Sequence, residues 1–85
     1  MSKRELIENF CEEYDYDFRG DYSGRFMYGK LCVGIVYDAD DDTILNELQD
    51  YLLGEDECDF AKHIKDLAHF DSMGLSRIVY FPSIS

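Results

Sequence analysis

The sequence predicts a small α+β domain in two layers, with helices packed on one face of a mainly antiparallel sheet, and three observations carry that prediction. Apolar residues recur at helical spacing near the N-terminus and twice in the second half of the chain. Aromatic and β-branched residues recur at strand spacing between Asp15 and Tyr37 and again from Leu75 to Phe81. The 85 residues, 46% apolar and 15% aromatic, suffice for one core in a single domain, 1–85. Each Tyr or Phe in such a core buries ~150–250 Å².

Taken in order, Ser2 and Glu5 form an S-x-x-E capping box, so a helix is expected to start at Lys3. Leu6, Ile7, Phe10, Cys11 and Tyr14 share one face of it. Lys3 and Arg4 sit in the first turn, where the helix dipole disfavours cations, which suggests a placement for a neighbour. Strands follow at about 15–20, 24–29 and 31–37, with Gly20, Gly24 and Gly29 at turns or bulges. The run Lys30–Tyr37 reads as a central strand, and Gly34 within it as the point where a helix comes close.

Asp40, Asp41 and Asp42 then cap and open a second helix, whose stripe is Ile44, Leu45, Leu48, Tyr51 and Leu52 and whose stop is Gly54 at the C′ position. A third helix runs from Glu57 or Cys58 to His69, with Phe60, Ile64, Leu67 and Ala68 inward. Asp71–Gly74 reads as a loop and Leu75–Phe81 as the last strand, closed by Pro82. The expected order is α-β-β-β-α-α-β.

The charge is distributed unevenly. The net charge is −11, with 19 carboxylates and eight Lys or Arg. Ten of the carboxylates lie between Asp38 and Asp59, where there is no basic residue. An amphipathic helix there would dock through its apolar stripe and hold Asp38, Asp40, Asp41, Asp42, Glu47, Asp50, Glu55, Asp56 and Glu57 outward as a partner-binding surface. Direct nucleic-acid binding needs the opposite charge. Carboxylates on a rigid frame can instead occupy a basic channel built for phosphates. Tyr14, Tyr16, Tyr22, Tyr28, Tyr37 and Tyr51 are candidate anchors around them, with at least half expected in core and sheet packing.

Motifs for chemistry fail on their context. Gly24–Lys30 has phosphate-loop spacing, but Leu31 stands where Mg²⁺ requires Ser or Thr, and a strand follows rather than a helix. Asp38-x-Asp40-x-Asp42 opens like a calcium loop, yet Thr43 and Gln49 occupy the Gly and Glu positions. Arg19-Gly20-Asp21 reads as a turn. His63 and His69 lack the spacing of a zinc helix. No nucleophile–base arrangement appears, so neither enzymatic activity nor a metal or other cofactor is expected.

Cys11, Cys32 and Cys58 are odd in number and far apart, and no apolar stretch reads as a signal peptide or membrane span. A reducing, cytoplasmic setting is expected, with no membrane association.

In size, charge and element order the chain resembles the small acidic inhibitors that phages and mobile elements encode against bacterial defence nucleases, the anti-CRISPR and DNA-mimicking anti-restriction proteins. The segment Gly24–Gly34, dense in glycine and aromatics, has the look of a family signature. The resemblance implies an inhibitor, monomeric or homodimeric, that binds a basic nucleic-acid-binding protein by charge mimicry. Two further expectations stand beside it: an immunity or antitoxin protein that neutralises a cognate toxin, and a small structural or regulatory oligomer subunit.

Overall fold

The computed structural model describes residues 2–23 and 31–84. The elements are α1 (Lys3–Tyr14), β1 (Asp17–Tyr22), β2 (Cys32–Tyr37), α2 (Asp41–Gly54), α3 (Cys58–Leu67), β3 (His69–Met73) and β4 (Ser76–Phe81). The strands make one antiparallel sheet in the order β1-β2-β4-β3. The fold class is the expected α+β. The described residues run α-β-β-α-α-β-β, which departs from the expected order by one added strand after α3. The expected strand at 24–29, the Gly24–Lys30 spacing and Tyr28 lie outside the described residues.

The expected loop at Asp71–Gly74 is instead the first arm of a hairpin, and α3 stops at Leu67 so that His69 enters β3. The reason lies in the turn. Met73 pairs with Ser76 across Gly74 and Leu75, and Gly74 has φ +65 while Leu75 does not have positive φ. A two-residue loop with left-handed Gly first is the type II′ turn, whose twist matches the two strands it joins. β3 itself is mostly exposed, and its two apolar residues, Phe70 and Met73, fall on opposite faces, so it carries no alternation of apolar and polar residues by which it could be recognised.

The α1 start is as expected. Glu5 N–H donates to Ser2 Oγ at 3.2 Å, and the Glu5 carboxylate accepts from Ser2 in return. Arg4 and Lys3 do serve neighbours. Arg4 Nη1 donates to Gly20 O at 2.8 Å and its guanidinium lies 5.5 Å from the Phe18 ring, while Lys3 Nζ lies 5.4 Å from the Phe60 ring. A Cβ at Gly20 would occupy the place of the Arg4 guanidinium, so glycine there admits the contact that ties α1 to the edge strand.

One face of the sheet carries Val33, Ile35 and Tyr37 of β2 with Val79 and Phe81 of β4, and all five join the apolar faces of the three helices in a continuous core. Ile84 belongs to that core as well: the tail returns to β2, where Val33 N–H donates to Ile84 O at 3.1 Å. At ~1.5–3 kcal/mol for each large side chain buried, these residues dominate the stability of the fold.

Gly34 faces away from the helices. No helix approaches it; the Ile78 side chain does, with Cδ1 2.9 Å from where a Cβ would stand. Ile78 is fully buried, so it cannot swing clear into solvent. Gly34→Ala is expected to destabilise the domain by about 1 kcal/mol through overpacking, visible as a lowered urea midpoint with an unchanged slope. On the same outer face a bulge in β1 sets Tyr22 opposite Cys32. This aims Tyr22 across the sheet, where its ring meets Tyr80 at 5.1 Å and its hydroxyl donates to Asp71 at 3.3 Å.

Candidate functional site

The nine acidic candidates divide into two groups at opposite ends of α2. That helix has 14 residues and is therefore about 20 Å long. Asp38, Asp40, Asp41 and Asp42 lie at its N-terminal end; Glu55, Asp56 and Glu57 form the turn into α3. Of the two between, Asp50 is exposed, and Glu47 turns inward to accept from the Tyr16 hydroxyl at 2.9 Å. The segment is not one continuous row of free charges.

The N-terminal group is partly committed to the fold. Asp40 holds the N-cap position, but its side chain makes no capping bond. Asp41 accepts from the buried Tyr37 hydroxyl at 2.6 Å and from Arg77 on β4, Nη2 at 2.8 Å and Nε at 3.1 Å. Arg77 first, and then Tyr37, hold the Asp41 carboxyl below its ordinary 3.8. Burial and then the Asp41 carboxylate push the Tyr37 phenol well above its ordinary value. Asp38 accepts from Ser76 Oγ at 2.6 Å. Asp40 and Asp42 are exposed.

The turn at the other end has its own structural reason. Gly54 is the last helical residue rather than the C′ residue. The left-handed position falls to Asp56, with φ 60. Glu57 N–H bonds to Leu52 O at 2.9 Å and Asp56 N–H to Leu53 O at 3.3 Å, the paired bonds of a Schellman ending. The left-handed residue sits two positions later than the glycine because the helix runs through Gly54, and aspartate tolerates αL better than most residues.

Folding adds two acids that no local pattern marked. α1 ends at Asp15 in a left-handed conformation, φ 60, and Tyr16 N–H returns to Cys11 O at 2.8 Å. This reverses the chain into β1, where Asp17 stands opposite Val36. Asp15, Asp17 and Asp38 thereby rim one open groove with Tyr16 and Tyr37. Asp40, Asp41 and Asp42 rim the adjoining groove together with Arg77, and Ala39 belongs to both. Arg19 pairs with Asp17 at 3.0 Å. The result is six aspartates around Ala39 at one end of the domain. The only signal for Asp15 and Asp17 in the sequence is the Tyr14-Asp-Tyr-Asp17 alternation, which places no residue beside Asp38.

Most of the tyrosines considered as anchors are structural. Phe10 sits among Tyr14, Tyr16 and Tyr51, with ring centroids 4.6, 5.7 and 5.6 Å away. Burial, and then Glu47, pushes the Tyr16 phenol up to about 12. Tyr14 keeps an exposed ring. The Cys11 thiol is pushed up to about 12, mainly by burial and further by Asp17 and Glu8, so it stays protonated and inert near neutral pH. Among the described residues no three His, Cys, Asp or Glu side chains converge to hold a metal ion, and no helix is long and apolar enough to cross a membrane. Comparison with protein-family models, curated proteins and solved structures yields no match. Fold and geometry together define a class, a small α+β domain with two adjoining aspartate-rimmed grooves.

Proposed function

We propose that this protein is an acidic inhibitor that docks its aspartate-rimmed end into the basic nucleic-acid site of a bacterial defence nuclease, in the manner of a nucleic-acid mimic. One observation carries the reading: Asp15, Asp17, Asp38, Asp40, Asp41 and Asp42 line two grooves that share Ala39, and among the described residues only Arg19 and Arg77 stand with them. Asp17 sits in β1 and Asp41 and Asp42 open α2, while Asp15, Asp38 and Asp40 lie in the short connections next to these elements. A basic channel therefore meets them with little ordering cost. The long-range attraction steers encounter and falls with salt. The acidic turn at Glu55, Asp56 and Glu57, at the other end of α2, makes a second and separate contact.

The geometry selects the variant that tests this. Asp41 must be left alone, because Tyr37 and Arg77 depend on it. Asp17, Asp40 and Asp42 span both grooves and are exposed, and the ion pair seen for them among the described residues is the exposed Asp17–Arg19 pair. The triple Asp17→Lys, Asp40→Lys, Asp42→Lys should keep the wild-type circular dichroism spectrum. It should also associate at least tenfold more slowly at low salt. The nuclease is obtained by salt elution from the immobilised protein after exposure to bacterial lysate, then assayed for DNA binding and cleavage. Full inhibition by the folded triple variant, or the absence of any nucleic-acid-binding protein from the eluate, overturns the proposal.

A further inference from the structure

We infer that the groove between the first turn of α1 and α3 seats one arginine side chain of a protein partner, in the place that the chain's own Lys3 holds in the free protein. The groove is lined by Lys3, Asp59, Phe60, His63, Asp66 and Leu67 and shares no residue with the two grooves at Ala39. Its volume is about 290 Å³. That is at the small end of the ~300–1,000 Å³ that whole small-molecule ligands take, and it suits a single side chain.

The lining polar groups of α3 all accept hydrogen bonds. His63 Nδ1 lies 2.8 Å from the Asp59 backbone oxygen. A carbonyl cannot donate, so Nδ1 carries the proton, and Nε2 of the neutral ring is left as an acceptor. Asp59 and Asp66 are exposed, and neither meets an ion pair among the described residues. Asp59, His63 and Asp66 fall at i, i+4 and i+7, along one side of the helix. Beside them Phe60 and Leu67, two turns apart, make an apolar strip about 10 Å long for an aliphatic stem.

The groove already holds a cation. Lys3 Nζ stands 5.4 Å from the centre of the Phe60 ring. Lys3 is exposed and sits in the first turn of α1, where the helix dipole disfavours it, so it is readily displaced. A guanidinium is the better occupant. It is planar, less strongly hydrated than an ammonium, found more often over aromatic rings, and offers several N–H donors to carboxylates. An apolar segment would cover Asp59, Asp66 and His63 without bonding them, and an anion would face two carboxylates. The net charge of −11 favours the approach of a basic surface. The inference requires a basic protein partner and does not rest on that partner being a nuclease.

Two blocked peptides, Gly-Gly-Arg-Gly-Gly and Gly-Gly-Lys-Gly-Gly, test it when titrated into the isotope-labelled full chain and followed by amide chemical shifts. The arginine peptide should move the amides of Lys3 and of α3, and bind about threefold more tightly than the lysine peptide. Lys3→Ala removes the internal competitor and should tighten the arginine peptide about threefold further. Lys65→Ala makes the same change in charge outside the groove and should leave the affinity as it was. Phe60→Leu keeps the apolar floor without the ring, and the double Asp59→Asn, Asp66→Asn changes exposed residues only. Each should weaken binding about threefold with the circular dichroism spectrum unchanged. Equal binding of the two peptides overturns the inference, as does tightening by Lys3→Ala no greater than that by Lys65→Ala. Shifts confined to Asp38–Asp42 would overturn it too, while leaving the nuclease reading intact.

Discussion

Phe10→Ala is expected to remove a large share of the domain's stability. Phe10 is fully buried at the junction of α1, the start of β1, and α2, and its ring meets Tyr14, Tyr16 and Tyr51 within 6 Å. Truncating such a side chain costs about 3–5 kcal/mol in lost transfer free energy and residual cavity. A domain of 85 residues has a total stability of roughly 4–13 kcal/mol, and the acidic surface works against it. Urea denaturation followed by circular dichroism measures the loss. Phe10→Leu keeps most of the volume and should cost less than half as much. A loss below ~1 kcal/mol for the alanine variant would show that the three tyrosines close over the gap.

The second large effect is electrostatic and depends on pH. Asp41→Asn removes the carboxylate that Tyr37 and Arg77 share: an amide oxygen in the Oδ1 place still accepts from Tyr37 and Arg77 Nε, but the amide NH2 in the Oδ2 place meets Arg77 Nη2 donor to donor, and the charge is gone. The Tyr37 ring is buried and its hydroxyl points to Asp41, so the lost negative charge weakens the acceptor that both donors face. The variant should lose about 1–3 kcal/mol at neutral pH. Because the folded state depresses the Asp41 pKa, this stabilisation is fully present above the ordinary 3.8 and is lost as pH falls through the lower folded value. The difference between wild type and Asp41→Asn should therefore be constant near neutrality and shrink toward zero in acid. Comparing the two proteins at each pH cancels the titration of the other carboxylates. A difference that stays constant in acid would mean that the shape of Asp41, and not its charge, holds the contact.

The same residue shows why partner binding and folding have to be separated in any mutational study of the acidic segment. Reversing Asp41 together with Asp40 and Asp42 would lower binding simply by disturbing the N-terminal end of α2. Asp40 and Asp42 are exposed and free to report on a partner, and Asp17 completes the set from a different strand.

Much of the local structure was legible in the sequence, because local signals dictate it. Ser2 and Glu5 start α1 through a reciprocal cap within four residues, the stripe from Ile44 to Leu52 makes α2 amphipathic, and the apolar run before Tyr37 makes a central strand. Each of these is set by hydrogen bonds or periodicity inside a short window. β3 was not legible, since its two apolar residues fall on opposite faces and its only mark is the Gly74 turn. The role of Gly34 was misread because the crowding atom comes from Ile78, distant in the chain.

For the candidate site the division is similar. By itself the sequence determined the excess of carboxylates between Asp38 and Asp59 and the helix that carries them. Only the tertiary structure decided what each charge does. Pairing of β1 with β2 brings Asp15 and Asp17 beside Asp38, Arg77 reaches Asp41 because β4 lies next to β2, and Glu47 is drawn inward by Tyr16. Whether a carboxylate is free or bound depends on which donors the fold places within about 3 Å. Those donors come from residues 31 and 36 positions away along the chain.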